Sequence, residues 1–260
     1  MLGWPVAHSR SPRMQNAALA AAGLERWRYQ ALPAPPERFD ETVRALPAAG
    51  FRGVNVTIPH KLAAFAIADC TTPAVRAIGA ANTLVFDGDG AISAANTDAP
   101  AVIGSLPFSP AGRTALVLGA GGSARAAVWA LLDAGAAQVR VWNRTPERAA
   151  LLCETLGGGT PVLDASPAEI LVHCTSSGLD GSAQMFKELP LEADELSGYD
   201  CVVDLVYTDS VTPLVHAARE RGIPTVDGLE LLVAQGALSF ELFTGVSAPV
   251  DVMRAAARGT

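Results

Sequence analysis

In this 260-residue chain, the stretch Gly119-Ala-Gly-Gly-Ser-Ala124 stands between two segments of different pattern. A short apolar run, residues 114–118, precedes it, and an alanine-rich helical pattern, residues 122–132, follows it. A second strand-like run comes at residues 138–142. A strand, a glycine-rich turn, a helix and a second strand in this order are typical of a βαβ unit that binds a dinucleotide.

Each small residue of this loop has a physical reason. Gly119 would make the tight turn, and Gly121 would let the backbone approach a pyrophosphate. Ala124 would allow the helix to pack closely on the strand, and the helix N-terminus would offer free N–H groups to phosphates. We therefore predict cofactor contacts from Gly119, Ala120, Gly121, Gly122, Ser123 and Ala124.

The end of the second strand indicates which dinucleotide binds. NAD-binding units usually carry an acidic residue there, whereas this chain has Asn143-Arg-Thr-Pro-Glu-Arg148. Arginines suit a ribose 2′-phosphate, so we predict NADP as the cofactor. Glu147, the only nearby acid, is interpreted as support for the dipole of the next helix. The predicted contacts are Asn143, Arg144, Thr145 and Arg148.

Strand-like and helical stretches alternate along the whole chain, which predicts the α/β class. An Asp-Gly-Asp-Gly turn at residues 87–90 predicts an antiparallel hairpin and hence a mixed first sheet. A Pro/Gly-rich break at 107–112 predicts a linker, so one domain would comprise residues 1–106 plus 228–260 and the other 107–227. In the first domain we predict helices at 12–22, 36–48, 60–66 and 72–78 and strands at 27–31, 53–56, 83–86 and 91–95. Further on, we predict strands at 170–174 and 201–205 and helices at 230–242 and 250–257.

Composition excludes several classes of function. A net charge of −7 and a pI near 5.1 argue against a nucleic-acid partner. The four cysteines form no zinc-binding spacing, so we expect reduced thiols and no metal. There is no signal-peptide pattern, and the apolar runs are too short to cross a membrane. We expect a soluble cytoplasmic protein, either monomer or homodimer, without a membrane partner.

One lysine is placed unusually. The chain has seventeen arginines and two lysines, and Lys61 ends the polar stretch Gly53-Val-Asn-Val-Thr-Ile-Pro-His-Lys61. Lysine can transfer a proton where arginine cannot. A carboxylate, Asp98, lies in a second polar stretch, Ala95-Asn-Thr-Asp98. The two indicate a proton-transfer pair, with a surface ion pair as the alternative.

Nine stretches in order over nearly the whole chain resemble the shikimate dehydrogenase family. This resemblance implies a mixed-sheet substrate domain plus a Rossmann NADP-binding domain. It also implies reversible hydride transfer between NADPH and 3-dehydroshikimate, giving shikimate, in chorismate and aromatic amino-acid biosynthesis. The stretches are Gly3-Trp-Pro-Val-Ala-His-Ser-Arg-Ser-Pro12, Asn55-Val-Thr-Ile-Pro-His-Lys61, Gly79-Ala-Ala-Asn-Thr83, Asn96-Thr-Asp98, Gly119-Ala-Gly-Gly122, Asn143-Arg-Thr145, Asp204-Leu-Val-Tyr207, Thr212-Pro213 and Gln235-Gly-Ala-Leu-Ser-Phe240.

The resemblance also implies roles for single residues. Lys61 and Asp98 correspond to the catalytic pair. Ser9 and Ser11, assisted by Tyr207, correspond to a clamp for the substrate carboxylate, although both serines also fit a capping role before the first helix. The ring-hydroxyl contacts would come from Asn55, Thr57, Asn82 and Gln235, and further cofactor contacts from Thr175, Gly228 and Leu231.

Two departures from the family pattern stand out. His173-Cys-Thr175 replaces the usual Asn-Ala-Thr, and only Met1 and Leu2 precede Gly3, where the family has a full strand. We expect either a clipped first strand or a start codon assigned late.

Three alternatives remain at this point. An NAD-dependent quinate/shikimate dehydrogenase would carry an acid at position 144. A non-catalytic ligand sensor on the same scaffold would lack Lys61 or Asp98. A member of the wider amino-acid/folate dehydrogenase group would lack the serine clamp.

Overall fold

The chain forms two α/β units in the computed structural model, which describes residues 1–179 and 184–259. The first unit comprises Met1–Asp98 and Leu232–Thr260, and the second comprises Ala99–Leu231. The domain limits given by the sequence stay a prediction.

The first unit alternates short strands and helices. They are β1 (Leu2–Gly3), α1 (Ser11–Ala21), β2 (Leu32–Pro33), α2 (Phe39–Ala45), β3 (Gly53–Asn55), α3 (Lys61–Ala66), β4 (Cys70–Thr71), α4 (Pro73–Ile78), β5 (Thr83–Phe86) and β6 (Ile92–Ala95). The helix α5 (Asp98–Ser105) leads into the second unit, whose elements are β7 (Thr114–Leu118), α6 (Gly122–Asp133), β8 (Gln138–Trp142), α7 (Pro146–Leu156), β9 (Thr160–Val162), β10 (Ile170–His173), β11 (Cys201–Asp204), α8 (Pro213–Glu220) and β12 (Thr225–Val226). The chain then returns to the first unit through α9 (Gly228–Thr244) and α10 (Val250–Arg258).

The larger sheet of the first unit is mixed, as predicted. Its order is β3-β5-β6-β4, in which β5 is antiparallel to β3 and β6, and β4 is parallel to β6. The Asp-Gly turn closes the β5–β6 hairpin, and Asp87 N donates to Ala91 O at 3.0 Å. The positive φ of this turn falls on Gly90 (88°).

The predicted strand at residues 27–31 is wrong, because the pairing strand is the two-residue β2 that follows it. Residues 27–31 are not part of a sheet, and the side-chain amide of Asn16 bonds there to Tyr29. Asn16 Nδ2 donates to Tyr29 O, and Tyr29 N donates to Asn16 Oδ1, both at 2.9 Å. A side chain on α1 therefore takes the place of a neighbouring strand.

The second unit holds a six-stranded sheet in the order β12-β11-β10-β7-β8-β9, in which every pairing is parallel. Numbered from β7, this is the order 3-2-1-4-5-6 of the Rossmann fold, which confirms the predicted class. Alternate residues of each strand face opposite sides, so Val117 packs towards α6 and α7 and Leu118 towards α8. Because both faces are covered, the strands are almost continuously apolar.

The predicted helix at 36–48 is shorter in the structure. It consists of a 3₁₀ turn, Pro36–Arg38, followed by α2, which ends at Ala45. Pro47 explains this end, because proline has no N–H to donate and its ring crowds the preceding turn. No helix in the described ranges is long and apolar enough to span a membrane.

Candidate active site

Lys61 and Asp98 each stand at the first residue of a helix, and the structure brings their side chains together. Lys61 Nζ lies 2.6 Å from Asp98 Oδ2, and each side chain is only 12% exposed. This shielding from water separates the pair from an ordinary surface ion pair. The preceding residue, His60, is buried with Nε2 2.7 Å from Ala34 O, which anchors the start of α3. The helix dipole favours the Asp98 carboxylate at its position.

Asn82 fixes the other oxygen of Asp98. Its Oδ1 accepts the backbone N–H of Thr97 at 2.8 Å, and its Nδ2 donates to Asp98 Oδ1 at 2.7 Å. A backbone N–H can only donate, so the Asn82 amide has one possible orientation. Asn82 is 2% exposed, and its second amide proton faces Thr97 Oγ1 at 2.9 Å. Asn82, which was predicted to bond a ring hydroxyl, therefore also orients the Asp98 carboxylate.

Asn55 lies beside this group, and two residues that the sequence did not single out hold it. Tyr29 Oη donates to Asn55 Oδ1 at 2.6 Å, and Asn55 Nδ2 donates to Thr83 Oγ1 at 3.0 Å. No motif or regular spacing connects Tyr29 with position 55, so pattern reasoning had no signal for this contact.

The two serines of the predicted clamp lie at the start of α1. The helix begins at Ser11, and Ser9 Oγ accepts the N–H of Ser11 at 3.2 Å. Neither serine caps α1, because the N-cap residue is Arg10 and no side chain makes a cap hydrogen bond. Gln15, further along α1, donates to Gly236 O in α9 at 2.9 Å. This bond places the serine helix beside the helix that carries Gln235, whose amide donates to a carbonyl of its own helix.

Thr57 joins the loop that carries Lys61 to the N-terminal segment. Its N–H donates to Leu2 O at 2.9 Å. A Cβ on Gly3 would collide with the Thr57 methyl group, so Gly3 allows the two segments to lie in contact. The stretch that leads to Ser9 and the stretch that leads to Lys61 therefore start from neighbouring backbone.

The dinucleotide loop has one crowded side and one open side. Gly119 has φ +120°, and a Cβ there would lie 3.1 Å from the carbonyl carbon and oxygen of Cys174. A Cβ on Gly121 would have no neighbour within 4 Å, so the start of α6 is open to an approaching group. Ala124 is fully buried under the sheet. A crowded turn, open N–H groups and close helix packing suit a pyrophosphate.

Arg144 and Arg148 are exposed at the tip of β8 and the start of α7. Neither forms an ion pair with any residue in the ranges that the structure describes. Asn143 Nδ2 donates to Thr145 O at 2.9 Å, which shapes the loop between them. Two uncommitted guanidinium groups at a strand tip suit a ligand phosphate.

Thr175 follows β10 and is held by a buried network that the sequence did not predict. His173 is fully buried, with Nδ1 2.8 Å from Asp204 Oδ1 and Nε2 2.5 Å from Thr175 Oγ1. Asp204 Oδ2 accepts the hydroxyl of Thr212 at 2.6 Å. His173, which stands where the family has asparagine, thus fixes the Thr175 side chain beside the turn at Gly119.

The remaining predicted residues lie in the second unit. A Cβ on Gly228 would collide with the Val206 carbonyl, so the start of α9 lies directly against the backbone that leads to Tyr207. Leu231 is 6% exposed and packs into the core of this unit. Tyr207 therefore belongs to one unit, and the two serines to the other.

Family models of known proteins match the chain over most of its length. Their descriptions are shikimate dehydrogenase substrate binding domain for residues 1–84, shikimate/quinate 5-dehydrogenase for 105–231 and shikimate 5′-dehydrogenase C-terminal domain for 228–258.

Individual proteins are similar over nearly the whole chain. The shikimate dehydrogenase (NADP(+)) of Methylobacterium radiotolerans is 45% identical, covering 94% of this chain and 90% of that protein. Shikimate 5-dehydrogenase from Thermus thermophilus, solved with NADP(H) and shikimate, superposes with a TM-score of 0.87 at 40% identity, covering 99% and 97%. The ligand-free 5-ketofructose reductase of a Gluconobacter strain gives 0.86 at 28% identity, covering 99% and 96%. The chain therefore belongs to the shikimate dehydrogenase family, which confirms the resemblance.

Proposed function

We propose that this chain is an NADP-dependent shikimate dehydrogenase, which interconverts 3-dehydroshikimate and shikimate in chorismate and aromatic amino-acid biosynthesis. One observation carries the proposal: a shielded lysine–carboxylate pair, 2.6 Å apart, stands in a chain about 45% identical to proteins of that name. We assign substrate binding to residues 1–106 with 228–260 and cofactor binding to residues 107–227.

The pair supplies the proton chemistry of the reaction. NADPH, when bound, supplies the hydride, and reduction of a ketone leaves a negative charge on oxygen that a proton must neutralise. Lys61 carries the transferable proton. Asp98 keeps the Lys61 amine in place and accepts a hydrogen bond from a substrate hydroxyl.

Residues of the second unit would hold the cofactor. The N–H groups at the start of α6 would hold the pyrophosphate, and Arg144 and Arg148 would bind the 2′-phosphate. The group assigned to this role is Gly119, Ala120, Gly121, Gly122, Ser123, Ala124, Asn143, Arg144, Thr145, Arg148, Thr175, Gly228 and Leu231.

Ser9 and Ser11, with Tyr207, bind the substrate carboxylate in this proposal, and Asn55, Thr57, Asn82 and Gln235 bind its ring hydroxyls. Converging neutral donors can hold an anion. Ser9→Ala is expected to raise KM for shikimate by roughly tenfold or more, the worth of one hydrogen bond to a charged group, with little change in kcat. Steady-state reduction of NADP by shikimate measures both constants.

The methyl ester of shikimate tests the same clamp without a mutation. Wild type should prefer the acid strongly, and Ser9→Ala should lose much of that preference. The ratio of the activities on the two substrates is independent of any loss of stability from the missing bond between Ser9 Oγ and the Ser11 N–H. Equal activity on acid and ester would show that the serines bind something other than a carboxylate.

The other functions weighed from the sequence have less support. A sensor would not need the proton-transfer pair, and an NAD enzyme would not need uncommitted arginines at the tip of β8. One matching family model covers quinate as well as shikimate, so quinate is the second substrate to assay.

We place the activity in the cytoplasm, acting as monomer or homodimer. All four cysteines lie in the described part of the chain, and none of them forms a disulfide bond there. Burial raises the pKa of Cys201 to about 11, so this thiol stays protonated and unreactive. Free thiols of this kind suit a reducing compartment.

A further inference from the structure

Tyr29 lies between the serine helix α1 and the catalytic pair, and it has no role yet in the proposed reaction. Its backbone is bonded on both sides by the Asn16 amide of α1, at 2.9 Å each. The segment is thereby held in an extended form without being a strand. Its hydroxyl reaches Asn55 Oδ1 at 2.6 Å. The helix that begins with Ser11 thus also sets the position of the Tyr29 ring.

The hydrogen bonds that start at Tyr29 all point in one direction. Because Asn55 Oδ1 faces the phenol, Asn55 Nδ2 faces Thr83 Oγ1 at 3.0 Å. The Thr83 hydroxyl then donates to Asn82 Oδ1 at 3.1 Å. Asn82 Nδ2 donates to Asp98 Oδ1 at 2.7 Å. Bonds aligned in this way polarise one another, and the last acceptor is the carboxylate of the catalytic pair.

In this series of hydrogen bonds, the Asn55 amide is the group with freedom to rotate. Its second N–H has only a long contact of 3.4 Å to the Asn82 carbonyl, which a substrate hydroxyl can replace. Without the phenol, Asn55 Oδ1 would lose its donor at 2.6 Å. A rotation that exchanges the amide oxygen and nitrogen would then be opposed mainly by the long bond to the Asn82 carbonyl, which can only accept. After such a rotation, the amide oxygen of Asn55 would face the substrate and Thr83, where its N–H groups stand now.

We infer that Tyr29 is a positioning residue for the proposed reaction, because its hydroxyl holds the Asn55 amide with N–H towards a ring hydroxyl of the substrate. The inference rests on the proposed function for the identity of that substrate. The contact between Tyr29 and Asn55 does not depend on it.

Tyr29→Phe removes the hydroxyl and keeps the ring. The expected result is a KM for shikimate raised by roughly 2- to 10-fold, the range of one neutral hydrogen bond, with kcat and the KM for NADP nearly unchanged. Tyr199→Phe is the matched control, because it loses one hydroxyl bond of 2.9 Å to the Ala165 carbonyl in the second unit. This control should leave the KM for shikimate as in wild type.

A double-mutant cycle separates positioning from a general loss of packing. In an Asn55→Ala background, Tyr29→Phe should have no further effect on KM, because the hydrogen bond through which Tyr29 is proposed to act is gone. The inference is overturned if Tyr29→Phe changes KM by the same factor in both backgrounds, or if it lowers the melting temperature and leaves KM unchanged.

The side-chain amide signal of Asn55 in the NMR spectrum of the ligand-free protein gives a readout that needs no substrate. Tyr29→Phe should shift this signal, and Tyr199→Phe should not. A protein that fails to oxidise shikimate would refute the proposed function, yet a shifted Asn55 signal would still support the positioning of Asn55 by Tyr29. An unshifted signal would refute this positioning, even in an active enzyme.

Discussion

Replacing Lys61 with alanine is expected to lower kcat for shikimate oxidation by at least about 100-fold, the lower limit of general acid–base catalysis, with a smaller change in KM. The reason is the proposed role of Lys61, whose Nζ lies 2.6 Å from Asp98 Oδ2 and would transfer the proton of the reacting oxygen. Lys61→Arg should not restore kcat, because a guanidinium keeps its proton. Stopped assays of NADPH formation at saturating shikimate measure the loss.

The only other lysine offers a matched control. Lys187 is exposed in the second unit, and Lys187→Ala should keep wild-type kcat. Near-full kcat in Lys61→Arg would contradict proton transfer and favour a purely electrostatic role for the cation.

Replacing Arg144 with alanine is expected to weaken NADP(H) binding by roughly 10- to 150-fold, the worth of one hydrogen bond to a charged group, and to leave NAD(H) nearly untouched. The side chain is exposed and forms no ion pair within the described ranges, so it is available to a 2′-phosphate. Arg148→Ala should act in the same direction more weakly, since it lies further along α7. Titration of the cofactor, followed by its fluorescence, measures each affinity.

Two further variants sharpen this test. Arg26→Ala removes an exposed arginine of the first unit and should change neither affinity. An acid at position 144 should shift the preference towards NAD, because it repels the 2′-phosphate and can bond the free 2′-hydroxyl. Equal losses of NADP and NAD affinity in Arg144→Ala would mean that the arginine does not read the phosphate.

Features could be predicted from the sequence where the local backbone geometry or chemistry requires one residue type. Gly119 was predictable because a backbone with φ +120° against a carbonyl leaves no room for a Cβ. Lys61 and Asp98 were predictable because a lysine among arginines and a carboxylate in a short polar loop are chemically distinctive. The α/β class followed from the alternation of strand-like and helical stretches, and the Rossmann domain was implied by the family resemblance.

Features that depend on register or on distant side chains could not be predicted. His173 faces Asp204 because β10 and β11 pair these two residues directly, and sequence does not reveal the register. The prediction of a strand at residues 27–31 was wrong because the Asn16 amide, not a neighbouring strand, bonds to the backbone of Tyr29. Such a contact leaves no periodic pattern in the sequence. The hydrogen bond from Tyr29 to Asn55 starts in this same segment, so it could not be predicted either.

NADP-dependent oxidation of shikimate is tested most directly by the initial rate of the wild-type enzyme with each pairing of NADP or NAD and shikimate or quinate. We predict the highest kcat/KM for NADP with shikimate, and a much lower value when either the cofactor or the substrate is exchanged. Absence of NADP reduction by shikimate, or a kcat/KM for NAD equal to or above that for NADP, would contradict it.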